Sequence, residues 1–122
     1  MAFAVDQFGD LHLAFNNAGI IGPQGPLHKT DLTGYRKLMD INLDAVFYGM
    51  KYEVPAILAV GGGAIVNTAS ILGLVGTPGY VPYVTAKHAV SGMTKSAALQ
   101  YSSQGIRINS VHPGYIDTPL LN

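Results

Sequence analysis

The chain has 122 residues, enough for one small domain that buries roughly two-thirds of its unfolded surface. Seven basic residues balance seven acidic ones, which leaves no electrostatic footprint for nucleic acid or an anionic membrane surface. Cysteine is absent, excluding a disulfide framework and a thiolate metal site and fitting a reducing cytoplasm. The N-terminus lacks a basic n-region and carries Asp6 and Asp10 early, unlike a signal peptide. Residues 54–86 contain no Asp, Glu, Lys or Arg, yet Pro55, Gly61 to Gly63, Asn67, Pro78 and Pro82 break the run. No clean apolar span of about 20 residues survives, so buried core is expected and a membrane is not.

In chain order, Ala2 to Phe8 reads as the tail of an amphipathic helix, with Phe3, Val5 and Phe8 apolar and Gly9 as its stop. Leu11 to Phe15 is a short strand ending in Asn16-Asn17-Ala18-Gly19, and residues 20–30 form a Gly- and Pro-rich loop. One helix is expected from about Thr33 to Leu58, capped by Asp31, with Tyr35, Leu38, Met39, Asn42, Val46 and Met50 on one face. Asn42 is an amide on an apolar stripe, so it must find hydrogen-bond partners and either pins backbone or serves a site. Pro55 should kink or end that helix.

Ala64 to Thr68 is the second strand, with Ser70 just beyond it and an apolar loop running through Tyr80. The next helix carries Tyr83 and Lys87, runs to about Ser103 and is closed by Gly105. Its small residues Ala86, Ala89, Ser91, Gly92, Ala97 and Ala98 allow close approach of another helix. Ile106 to Val111 is the third strand and ends at Pro113-Gly114. The alternation predicts an α/β fold: one partial, Rossmann-like parallel sheet of about three strands with right-handed crossover helices, spanning 1–122. In such sheets ligands bind beyond the carboxyl ends of the strands, where Asn16 to Gly19, Ser70, Tyr83 and Pro113-Gly114 all fall.

Tyr83 and Lys87 are four residues apart, so on a helix their Cβ atoms stack roughly 5–6 Å apart. A free phenol, with a pKa of about 10, is almost wholly protonated at neutrality. An ammonium about 5 Å away stabilises a phenolate by about 3 kcal/mol at an effective dielectric near 20. That is most of what a usable acid/base requires, and a second cation would supply the rest.

Asn16-Asn17-Ala18-Gly19 after a strand, Asn42 in the next helix, Ser70 after the next strand, Tyr83-x-x-x-Lys87 thirteen residues later, then Pro113-Gly114 and Thr118 form an ordered set. In order and spacing this set resembles the short-chain dehydrogenase/reductase family, over essentially the whole chain. The resemblance implies an oxidoreductase moving a hydride between NAD or NADP and a small-molecule alcohol or ketone. Tyr83 would be the acid/base, Lys87 would assist it and bind the nicotinamide ribose, and Ser70 would polarise the substrate oxygen. Asn42 would hold a water that relays protons from Lys87. Asn17, Ala18 and Gly19 would line the adenosine side of the cofactor, and Pro113, Gly114, Ile116 and Thr118 would border the nicotinamide. Leu72, Val75 and Tyr80 are candidate substrate-pocket residues, and a homodimer or tetramer through the two long helices follows by analogy.

Competing signals are weaker. Gly61 to Gly63 precedes a strand instead of joining strand to helix, so it is no phosphate loop. A serine hydrolase would need a Gly-x-Ser-x-Gly elbow or a Ser-x-x-Lys pair, and neither surrounds Ser70. His12, His28, His88 and His112 lack metal spacing and read as surface or strand-end residues, while Asp40 and Asp44 read as a solvated face.

The family's Gly-rich strand-to-helix turn, its ribose-reading residue, its last strand and its substrate lid have no counterpart here. Two crossovers in one direction also put both long helices on one sheet face and leave the other bare. The expectation is therefore a fragment, poorly stable and weak in cofactor binding by itself. A different class stays open beside the enzyme: an inactive remnant that keeps only a helix-mediated oligomerisation surface.

Overall fold

The computed structural model describes residues 2–121; the side chain of Phe3, expected on the first helix's apolar face, lies outside the described residues. Helix α1 (Ala2–Phe8) leads to strand β1 (Leu13–Asn16). Helix α2 (Leu32–Met39), a π-helical turn (Asp40–Asp44) and helix α3 (Ala45–Ala59) follow as one continuous rod. Strand β2 (Gly63–Thr68), helix α4 (Val81–Tyr101) and strand β3 (Ile106–Val111) complete the chain. The three strands are parallel, in the order β1-β2-β3, as expected of consecutive crossovers made in the same direction.

Local signals explain most boundaries. Asp31 caps α2 by accepting a hydrogen bond from Gly34 N–H at 2.9 Å. Gly105, at φ 84°, makes the left-handed turn that releases the chain from the end of α4 into β3. Three expectations need correction. The first strand begins at Leu13, not Leu11, because β2 pairs only with Leu13 to Asn16. The helix expected as one α-helical run is interrupted by a π-helical turn at Asp40–Asp44, from which the Asn42 side chain bonds a distant loop. Pro55 does not end α3, which continues to Ala59. The carbonyl that proline leaves without a helical donor is that of Lys51, on the exposed side of the helix where water can reach it.

The core lies on one side of the sheet. Ile65, Ile106 and Ile108 project into it and meet Val46, Met50, Val54 and Ile57 of α3 and Val90 of α4. The opposite face is open: Leu13 and Phe15 are 69% and 63% exposed, the consequence expected of two same-handed crossovers. Among the described residues no helix is long and apolar enough to cross a membrane.

A polar chain runs through the core. Asn16 and Asn67 are register partners on β1 and β2. Asn16 Nδ2 donates to Asn67 Oδ1 (3.0 Å) and to Glu53 Oε1 (2.9 Å), and Asn67 Nδ2 donates to Thr94 Oγ1 (3.0 Å). Burial raises the pKa of Glu53, and the hydrogen bond from Asn16 opposes that shift only in part. A carboxyl raised on folding binds its proton more tightly in the folded state, so it costs stability as pH rises through the window above its ordinary value of 4.5. Glu53→Gln keeps the acceptor and removes the charge. Thermal melts should show the variant more stable than the parent at neutral pH, with the difference vanishing below pH 4.5.

Candidate active site

The carboxyl ends of the three strands open onto a cleft of about 850 Å³. Cavities that hold cofactors and drug-sized ligands commonly run about 300–1,000 Å³. The turn after β1 supplies Asn17, Ala18 and Gly19; the turn after β2 supplies Ser70 and Leu72. Tyr80, Tyr83 and Lys87 enter from the start of α4, and Pro113, Gly114, Ile116 and Thr118 follow β3. Two expected residues stand apart from this lining. Val75, beyond the short 3-10 turn at Ile71–Gly73, is half exposed and does not line the cleft. Asn42 is fully buried behind Gly19.

Lys87 dominates the electrostatics. Its side chain reaches back from the second turn of α4 to donate from Nζ to Thr68 O at the end of β2 (3.2 Å), and the residue is only 3% exposed. Among the described residues no carboxylate pairs with it. Burial pulls its pKa down from 10.5 to about 8. At neutral pH the amine is still about nine-tenths protonated. Nζ lies 5.6 Å from the centroid of the Tyr83 ring, and Tyr83 is itself buried to 7% exposure. The sequence expectation of a phenol and an ammonium stacked on one helix face is met by this geometry. The ammonium, however, is far less solvated than a surface pair would be.

Ser70 closes the same wall. Its Oγ accepts from Leu72 N–H (3.1 Å), so the hydroxyl hydrogen remains free to donate into the cleft. Thr68 Oγ1 donates to Asn17 Oδ1 (2.8 Å), which fixes that side chain at the cleft edge. Asn42 accepts from Ile20 N–H (2.8 Å) and donates to Ile20 O (2.7 Å), gripping one residue of the loop at both its backbone groups. Those bonds use the amide to pin backbone, the first of the two uses expected of it. Each polar atom of the amide retains one further hydrogen-bonding position. A Cβ on Gly19 would come 3.4 Å from Asn42 Oδ1 and 3.5 Å from Lys87 Nζ, so this glycine lies between the two.

The ties from His112 to the Ser70 turn went unread in the sequence. His112 Nδ1 bonds Ser70 O (2.9 Å), and its Nε2 is 2.9 Å from Ser110 Oγ. Its position immediately before Pro113-Gly114 was the available signal.

Comparison with known proteins agrees with this architecture. The family model described as enoyl-(acyl carrier protein) reductase matches residues 1–122. Cyclohexanol dehydrogenase from Acinetobacter sp. (strain SE19) is 64% identical over 119 residues, covering 98% of this chain and 47% of that protein. Among solved structures, ElxO with NADP bound superposes with a TM-score of 0.93 at 42% identity, covering 98% of this chain and 48% of that one. NAD+-bound xylitol dehydrogenase superposes with the same TM-score of 0.93 at 32% identity, covering 98% and 46%. The chain thus spans about half the length of the relatives it matches. With the parallel sheet, the cleft at its carboxyl edge and a family match running from end to end, the chain belongs to the short-chain dehydrogenase/reductase family.

Proposed function

We propose that this chain carries the catalytic part of an NAD- or NADP-dependent oxidoreductase that interconverts a secondary alcohol and its ketone. The observation that carries the reading is the buried Lys87 ammonium, without a carboxylate partner among the described residues, beside the Tyr83 ring on the wall that also holds Ser70. The cleft fits a nicotinamide cofactor: Asn17 to Gly19 border one end, Pro113 to Thr118 the other, and Gly114 has open space where a Cβ would be. When bound, the cofactor would accept or return the hydride.

The protein's own groups would manage the proton. In the oxidation direction Tyr83 takes the hydroxyl proton while the carbinol C–H bond gives up its hydride, and the oxygen becomes a carbonyl; reduction reverses both. Lys87, with Nζ 5.6 Å from the ring centroid, sets a positive charge beside the phenol. Ser70 donates its free hydroxyl hydrogen to the substrate oxygen as charge develops there. Asn42 holds the Ile20 loop and, with its remaining positions, orders water toward Lys87. Lys87 is the sole charged side chain among the described lining residues, which favours an uncharged substrate. Leu72 and Tyr80 flank the site, so a neutral ring of the cyclohexanol type is the substrate to try first.

The two long helices also leave Phe47, Tyr48 and Tyr52 exposed on α3, which supports a homodimer or tetramer through that surface. Replacing Tyr48 and Tyr52 together by arginine should lower the mass measured by light scattering to that of the monomer.

Tyr83→Phe should lower turnover of cyclohexanol by about 10²–10⁴-fold, and Ser70→Ala by about 10²-fold. Cofactor affinity, read by calorimetry, should change only a few-fold in either variant. A Tyr83→Phe protein that turns over like the parent would overturn the reading. Lys87 adds a test in the absence of substrate. Because its folded pKa of about 8 lies below 10.5, the unfolded chain holds its proton more tightly across that window. Stability contributed by this site should therefore rise as pH climbs from about 8 to 10.5, and Lys87→Met should abolish the rise in denaturant melts.

A further inference from the structure

The Ser70 hydroxyl can meet a substrate oxygen only if the turn that carries it is fixed. That turn is short: Ser70 is extended (φ −169°, ψ 162°), and Ile71–Gly73 form a single 3-10 turn. Backbone bonds tie it to β3 at two points, Ala69 N–H to Val111 O (2.8 Å) and Ile71 N–H to Pro113 O (2.9 Å). Pro113 has no N–H to return. Between these ties the imidazole of His112 reaches across to Ser70 O at 2.9 Å. A carbonyl only accepts, so the proton on that bond belongs to Nδ1, and neutral imidazole Nε2 accepts from Ser110 Oγ at 2.9 Å.

From the other side Ser91 Oγ donates to Gly73 O (3.2 Å) and Lys87 O (3.1 Å), sharing one hydrogen. There is no slack between the two sides. A Cβ on Gly73 would lie 2.8 Å from Ser91 Oγ, 2.9 Å from Lys87 O and 3.3 Å from His112 Nδ1. The Ser70 carbonyl also accepts from Gly73 N–H at 2.8 Å. Its two acceptor positions are therefore filled by the turn itself and by the imidazole.

We infer that His112 is a positioning residue for Ser70: its Nδ1–H bond to the Ser70 carbonyl sets the angle at which the serine hydroxyl faces the cleft. The inference rests on the alcohol–ketone reading for its kinetic test but not for its geometric one. His112 lies next to Pro113-Gly114, so the same side chain couples the cleft wall after β3 to the wall after β2. A group acting this way should affect the chemical step and leave cofactor binding alone.

The geometric test is the tautomer. Long-range ¹H–¹⁵N correlation of the imidazoles in alkaline solution should find His112 protonated on Nδ1, whereas free neutral histidine carries its proton mainly on Nε2. An Nε2–H tautomer overturns the inference whatever the enzyme does.

The kinetic test compares two variants. His112→Asn places an amide N–H near the position of Nδ1, while His112→Gln carries its donor about one bond further out. His112→Gln should lower kcat on cyclohexanol about tenfold with cofactor affinity unchanged, and His112→Asn should recover most of the loss. Equal turnover by the Gln variant and the parent overturns the inference, as do equal losses in both variants. If neither variant folds, Ser110→Ala serves, since it frees the ring to turn: a lower kcat with unchanged cofactor affinity supports the inference, and an unchanged kcat overturns it. A parent protein with no turnover but with the Nδ1–H tautomer would sink the functional reading and leave the His112 contact standing.

Discussion

A buried ammonium with no counter-ion among the described residues is the constraint on which this structure depends. Taking such an ion out of water costs several kcal/mol after relaxation. Lys87 recovers part of that through one bond to the Thr68 carbonyl, and the depressed pKa records what is not recovered. The deficit is useful only if an anion forms close by. Tyr83 stands in the first turn of α4, where the helix dipole favours negative charge by roughly 0.3–1 kcal/mol and disfavours a cation. The helix terminus and the lysine thus both set positive potential beside the Tyr83 ring.

Topology brings the remaining groups to the same place. Parallel strands end at one edge of the sheet, so the turns after β1, β2 and β3 share a crevice although 94 residues separate Asn17 from Val111. The Asn16–Asn67 pair sits at the corresponding register of β1 and β2 and locks the strand ends from below. Thr68, one residue further on, serves both neighbours: its hydroxyl holds Asn17 and its carbonyl holds Lys87. A one-residue slip of β2 would turn Asn67 out of the core and aim Thr68 into it, breaking both arrangements at once.

Much of this was legible in the sequence, and the limits have physical causes. Strands β2 and β3, the Asp31 cap, the Gly105 exit and the Tyr83–Lys87 stack are set by local periodicity and by residues that act on their near neighbours. The face left bare at Leu13 and Phe15 followed from handedness alone. What escaped were side chains whose partners lie far away along the chain. Asn42 bonds a residue 22 positions earlier from within the π-helical turn. Glu53 meets Asn16 across 37 residues, and His112 meets Ser70 across 42. Val75 follows Ser70 in the chain, yet Leu72 and Tyr80 line the cleft and Val75 does not.

Gly19 shows how the two scales meet. Glycine after a strand ordinarily suggests a turn that needs positive φ, but Gly19 is not among the glycines with positive φ. Nor does crowding demand it, since an added methyl would stand 3.4 and 3.5 Å from its nearest polar neighbours, ordinary contact distances. What a methyl would change is chemistry. It would stand as an apolar group in contact with both the Asn42 amide and the Lys87 ammonium. Lys87 keeps two N–H donors beyond the one given to Thr68, and in a buried site each unmet donor adds to the cost of the charge. Glycine at this position therefore serves by what it leaves open: a space beside both groups that no side chain fills.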